Sequence, residues 1–158
     1  MADDLPFAAT WLVRDTCLCL HVQRAARALA RRYDEVFRSL GLTSGQFSLL
    51  MALNRPEPPS IGQVSTLLAM DRTTLTANLK PLERRGYIEV LAGKTDKRRR
   101  ALMLTASGRA LLFAAMPVWQ RTNATLEHLL RASNPDQLRT DLRALCRSAD
   151  STNPFPRP

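Results

Sequence analysis

Apolar residues recur along this chain at helical and strand spacing, and the spacing predicts a succession of short elements. Leu75, Leu79 and Leu82 stand at i, i+4 and i+7, so one face of a helix buries while Thr73, Thr74, Thr76, Asn78 and Lys80 point elsewhere. Asp71 is suited to cap this helix and Gly86 to stop it. Pro81 removes one intrahelical bond, so a kink or an early end is expected there. Tyr87–Leu91 and Ala101–Leu104 read as paired strands, with Ala92-Gly93 beginning the tip between them. Upstream, a short capped helix starts near Ser44, and the prolines of Asn54–Pro59 enforce a loop. Ser60 then caps a one-faced helix carrying Ile61, Val64, Leu67 and Leu68, and Ala69–Arg72 forms a tight turn into the next helix.

The flanks carry longer helical patterns. One helix is predicted from about Arg14 to Leu40, with Leu18, Val22, Ala25, Leu29, Val36 and Leu40 as its apolar stripe. A second runs from about Ser107 to Leu130 and should bend at Pro117. A third opens on Asn134-Pro135-Asp136-Gln137: an N-cap, a proline at the first helical position and a capping-box glutamine. It continues through Leu138, Leu142 and Leu145.

Charge sharpens the picture. The chain has 158 residues and a net charge of +9. Residues 71–100 hold nine basic and four acidic side chains, a net +5, so more than half of the excess sits there. An ordinary surface helix carries Glu and Lys rather than a threonine cluster, because threonine is a poor helix former. Short hydroxyls and amides with one cation suit a helix in the major groove, where they can bond base edges while lysine meets phosphate. The basic run Lys94-Thr-Asp-Lys-Arg-Arg-Arg100, placed directly after that helix, suits a hairpin tip that enters a minor groove or grips phosphates. The expected fold class is therefore mainly α with a small β wing: a winged helix-turn-helix lobe over 44–104, helical regions at 14–40 and 107–148, and a flexible tail at 149–158. Expected DNA contacts are Arg72, Thr73, Thr74, Thr76, Asn78, Lys80, Lys94, Asp96, Lys97, Arg98 and Arg99.

Three pieces of this pattern are specific: Leu82-Glu-Arg-Arg-Gly86, Asp96-Lys-Arg98, and Leu104-Thr-Ala-Ser-Gly108 leading into a long helix. On them, residues 15 to 148 resemble the MarR family of bacterial transcriptional regulators. Pro81 and the successive arginines at 98 to 100 depart from the commonest pattern. The resemblance implies that Asp96 braces the wing, that Arg98 reaches the minor groove, and that Thr73, Thr74, Thr76 and Asn78 read bases. It further implies a homodimer joined through the terminal helices, binding a near-palindromic operator as a repressor and released by a ligand or oxidant. An effector pocket would then draw on His21, Arg24, Phe47, Met51, Met116 and Trp119, a set suited to an aromatic or acyl molecule. Each of these is also explained singly by core packing or solvated charge.

An oxidant-sensing alternative rests on Cys19, with Cys17 beside it. The peroxide-sensing branch of the family pairs a cysteine with a tyrosine fourteen residues on, and Tyr33 has that spacing here, although Gln23 replaces that branch's nearer tyrosine. On one helix Cys19 and Tyr33 would lie about 21 Å apart, so they can meet only across two chains. A Cys17–Cys19 disulfide within a helix is geometrically poor, and two small buried hydrophobes explain the pair equally well.

Other classes find little support. Three cysteines and two histidines in unrelated places make neither a disulfide framework nor a metal site, and no cofactor or catalytic constellation is expected. The opening Met1-Ala-Asp-Asp is acidic and no apolar run approaches about 18 residues, so no secretory signal or membrane span is expected and the protein is expected in the cytoplasm. A non-specific nucleoid-type DNA binder remains the rival reading, since charge alone does not distinguish it from a sequence-specific one.

Overall fold

The helix expected over residues 14–40 is interrupted, although its stripe from Leu18 to Val36 stays on one segment. The computed structural model describes residues 5–92, 100–130 and 132–151. In it, α1 (Phe7–Thr16) and α2 (Leu18–Phe37) are separated at Cys17, whose backbone is extended at φ −73° and ψ 106°. The carbonyl of Cys17 accepts the His21 N–H at 3.1 Å and the His21 ring Nδ1–H at 2.9 Å, which fixes the break and starts α2. Cys17 is therefore a helix junction, and Cys19 lies in the first turn of α2. A single 3₁₀ turn, Arg38–Leu40, follows α2. The carboxylate of Asp34 then accepts the Ser44 N–H at 2.6 Å, satisfying a donor at the start of α3 (Ser44–Leu53).

The chain divides into two compact units after Ser44. In the first, none of the six expected stripe residues is buried, and Leu18, Val22 and Leu29 are exposed.

The second unit holds α3, α4 (Ile61–Leu67), α5 (Arg72–Arg84), β1 (Ile88–Ala92), β2 (Arg100–Leu104), α6 (Ala106–His128) and α7 (Pro135–Ser151). Its buried side chains include Leu49 and Leu50 of α3, Val64 of α4, all three leucines of the α5 stripe, Ile88 of β1, Leu102 and Leu104 of β2, and Leu112 and Ala115 of α6. Leu67 departs from the expected face: it is 59% exposed although its period matches Val64. Ser60 caps α4 in a full capping box, accepting the Gln63 N–H while the Gln63 side chain accepts the Ser60 N–H.

The early end expected at Pro81 does not occur, and α5 continues to Arg84. Proline deprives the carbonyl of Ala77 of its partner, but Ala77 is exposed and water can replace the lost bond. The helix stops where Gly86 takes φ +71°, with Gly86 N–H bonded to Glu83 and Tyr87 N–H to the carbonyl of Leu82. That cap uses the Tyr87 N–H, and β1 begins one residue later than expected. The two strands are antiparallel, with Ile88 opposite Leu104 and Val90 opposite Leu102. Ala92 pairs with Arg100 and so belongs to the ladder rather than to the tip. The Leu102 N–H reaches the carbonyl of Pro59 at 2.9 Å, tying the wing to the entry of α4.

At the other end of the sheet, Thr105 caps α6 by accepting the Gly108 N–H and donates its hydroxyl to the carbonyl of Gly86 at 2.7 Å. Helix α6 spans Pro117 and ends at His128, two residues before the expected limit. Asn134 caps α7 as expected, accepting the Asp136 N–H at 2.8 Å. The capping box is incomplete, because the Gln137 side chain donates to Asp141 instead. Arg139 joins α7 to α6, at 2.6 Å from Glu127 and 2.7 Å from Asp136. Helix α7 runs three residues into the segment expected to be a tail, and residues 152–158 lie outside the described residues.

Candidate nucleic-acid interface and effector cavity

The geometry of the helix-turn-helix is set at four residues. Ala69 adopts φ +49°, an unusual conformation for a residue with a side chain, and reverses the chain between α4 and α5. The Met70 N–H bonds the carbonyl of Ser65, closing the turn. Asp71 caps α5 by accepting the Thr74 N–H at 2.8 Å and the Thr74 hydroxyl at 2.6 Å. Arg72 opens the helix, and its guanidinium lies where a side chain at Gly62 in α4 would meet it.

Thr73, Thr74, Thr76 and Lys80 are all exposed, and Asn78 is half-buried. The Thr76 hydroxyl donates to the carbonyl of Arg72 at 2.7 Å, and the Asn78 amide donates to the carbonyl of Thr74 at 2.9 Å. Opposite the buried leucines, Thr73, Ala77 and Lys80 share the outward face of α5. The helix thus presents short polar side chains to solvent from a rigid, capped scaffold.

Hydrogen bonds from the Thr74 hydroxyl and N–H hold the Asp71 carboxyl below its usual range. A lowered folded-state value stabilises the fold above the unfolded value of about 3.9, and this contribution is lost as pH falls through the folded value. Thermal midpoints between about pH 5 and pH 2 should contain this acid-side loss, and Asp71→Asn, which still caps, should flatten part of it. An unchanged acid slope in the variant would assign the loss to other carboxylates.

The expected wing contacts Lys94, Asp96, Lys97, Arg98 and Arg99 lie outside the described residues. The strands that carry them are described, and Arg100 at the base of the tip is exposed. Next to the wing, the guanidinium of Arg85 stacks 4.8 Å from the Tyr87 ring centroid. A model of the MarR family matches residues 40–99, from the 3₁₀ turn before α3 to the residue before β2. The solved structure of the Mycobacterium tuberculosis transcriptional regulator MosR in complex with DNA is 34% identical, with 85% of this chain aligned to 97% of that one at a TM-score of 0.77. The chain belongs to the MarR family of transcriptional regulators.

Two curated relatives bound the resemblance. The regulator TtmR of Methylorubrum extorquens is 34% identical over 61% of this chain, which spans only half of TtmR's length. The transcriptional repressor MprA of Escherichia coli is 29% identical over 94% of this chain and 82% of its own.

Of the expected effector residues, the fold brings Phe47, Met51, Met116 and Trp119 together around a mainly apolar cavity of about 420 Å³. Ser48, Ala52, Leu67 and Leu68 complete its wall. Periodicity assigned Leu67 and Leu68 to the core; their role shows only when α4 is placed against α3 and α6. His21 and Arg24 are not among the lining residues. Both are exposed on α2, where the His21 ring is engaged with Cys17 and Arg24 shares a basic strip with Arg27 and Arg31.

Cys19 is exposed, and its sulfur accepts a hydrogen bond from Gln23 at 3.2 Å. Tyr33 stacks on Phe37 with ring centroids 5.8 Å apart. With both residues on α2, Cys19 and Tyr33 are not brought together within one chain. Among the described residues, no helix is long and apolar enough to cross a membrane.

Proposed function

We propose that this MarR-family protein acts as a homodimeric repressor that reads a near-palindromic operator and releases it when a small aromatic or acyl molecule enters the cavity. The observation that carries the DNA reading is α5 itself: a capped helix with three buried leucines and an exposed row of short polar side chains. The strongly basic wing adds sequence-independent affinity for phosphate. The dimer is supported by apolar residues that a single chain leaves exposed: Leu12, Leu18, Val22 and Leu29 at one end, Leu138 and Leu142 at the other. Two recognition helices would then meet successive major grooves, about 34 Å apart. The effector reading rests on position as well as chemistry. Leu67 and Leu68 wall the cavity immediately before the Ala69 turn, so an occupant that displaced them would shift α5. The thiol-based alternative has no comparable support: Gln23 stands in place of that branch's nearer tyrosine and donates to the Cys19 sulfur.

Binding to the protein's own upstream DNA and to random DNA tests this reading against a nucleoid-type role. A regulator should prefer its operator by at least about 1,000-fold, whereas equal affinities would favour the architectural role. Two variants separate contact types. Arg98→Ala should weaken binding to all DNA and reduce the salt slope by about one unit. Asn78→Ala should relax preference at one base pair, at a cost of roughly 1–3 kcal/mol. A uniform loss across sequences for Asn78→Ala would move that residue to the backbone contacts.

A further inference from the structure

Hydroxyl groups on α5 have already spent their protons. The Thr74 hydroxyl lies 2.6 Å from the Asp71 carboxylate and the Thr76 hydroxyl 2.7 Å from the carbonyl of Arg72. Carboxylates and carbonyls only accept hydrogen bonds, so in both pairs the threonine is the donor. A hydroxyl has one hydrogen, and what remains at Thr74 and Thr76 is lone pairs. One amide hydrogen of Asn78 is likewise committed, to the carbonyl of Thr74, while its side-chain oxygen can accept.

The bases differ in what they offer such a surface. In the major groove, guanine presents only acceptors, and thymine an acceptor and a methyl group. Adenine N6 and cytosine N4 carry amino hydrogens. We propose that Thr74 and Thr76 are specificity-determining acceptors that select half-site bases bearing an exocyclic amino group, adenine or cytosine, facing the first two turns of α5.

The commitment is hard to reverse on binding. For Thr74 to donate to a base it would give up a charge-assisted bond to the ionised cap of its own helix. For Thr76 the competing acceptor is a backbone carbonyl in the first turn of α5. Thr73 gives a contrast: exposed on the same helix, its hydroxyl makes no side-chain hydrogen bond among the described residues and can donate or accept.

This inference rests on the reading of α5 as the groove-reading helix, and the test separates the two. Operator sites are first selected from random DNA with wild-type protein. Within the selected half-site, each adenine is replaced by purine lacking the N6 amino group, and each cytosine by the pyrimidinone lacking N4. Affinities are then measured for wild type, Thr74→Val, Thr76→Val and Thr76→Ser. Removing the amino group at the contacted position should weaken wild type by about fivefold to tenfold, one hydrogen bond's worth. It should weaken the matching valine variant less than about twofold, and Thr76→Ser should restore the full loss. Thr76→Val leaves the Asp71 cap in place, and the base-analogue series on wild type stands alone if a variant fails to fold. The proposal is overturned if a specific site is selected yet every amino deletion is neutral, or if each costs the same in wild type and valine variants. If no sequence is enriched over random DNA, the groove-reading assignment fails and takes this proposal with it.

Discussion

Gly108→Ala is expected to destabilise the protein by about 3 kcal/mol and to lower the thermal midpoint by roughly 6–12 °C. A Cβ at this position would sit 2.0 Å from the carbonyl oxygen of Tyr87 and 3.0 Å from its carbonyl carbon. Those are backbone atoms, and they are held: the same oxygen accepts the Thr105 N–H at 3.1 Å, and the Tyr87 N–H closes the cap of α5. Relief would therefore require α6 to move away from Tyr87, together with Thr105 and Ser107, both bonded to Gly86. The intrinsic preference of a helix for alanine over glycine, about 1 kcal/mol, acts in the opposite direction and is too small to compensate. Gly45→Ala supplies the control, because a Cβ there meets nothing within 4 Å. It should leave the midpoint unchanged or raise it slightly. A Gly108→Ala protein that melts within about 2 °C of wild type would show that α6 does not approach Tyr87 this closely.

The second large effect concerns the proposed dimer. Leu142→Asp should yield a folded monomer whose operator affinity is lower by roughly 100-fold to 10,000-fold, the avidity lost when two linked half-sites are read by one module at a time. Leu142 is 37% exposed in a single chain and Leu138, one turn away, is 39% exposed, so neither is part of the unit's own core. An aspartate on an exposed face costs the monomer little, but within an apolar interface it buries an unpaired charge. Sedimentation and operator binding on the same sample give both readouts. A variant that stays dimeric would place the interface elsewhere than on α7. A variant that becomes monomeric while keeping wild-type affinity would remove the two-fold model of operator reading.

Local chemistry was readable from residue order. The α5 stripe, its Asp71 cap, its Gly86 stop and the pairing of the wing strands all follow from side-chain period and backbone preference over a few neighbouring residues. So did the concentration of positive charge between residues 71 and 100. Half of the candidate cavity was legible too, because Phe47, Met51, Met116 and Trp119 are large and adaptable side chains on helices expected to pack.

Part of what periodicity missed depends on partners distant along the chain, and part on side-chain hydrogen bonds within one turn. Leu67 has the spacing of a core residue, yet only the placement of α3 and α6 makes it a cavity wall. Cys17 sits in a run with helical spacing, and the break shows itself only when the His21 ring is seen bonded to its carbonyl. Gly108 stood in a recognisable run of residues, but the reason for glycine is the Tyr87 carbonyl, twenty-one positions earlier. The threonines of α5 were expected as base readers from their composition; which of their lone pairs and protons remain to be used was decided by Asp71 and the carbonyl of Arg72. Residue order by itself determined where most of the helices and strands form, because those rest on interactions within a turn or two. The tertiary structure alone decided which faces are covered and which side chains meet around the cavity, because burial is settled by whatever the fold brings alongside.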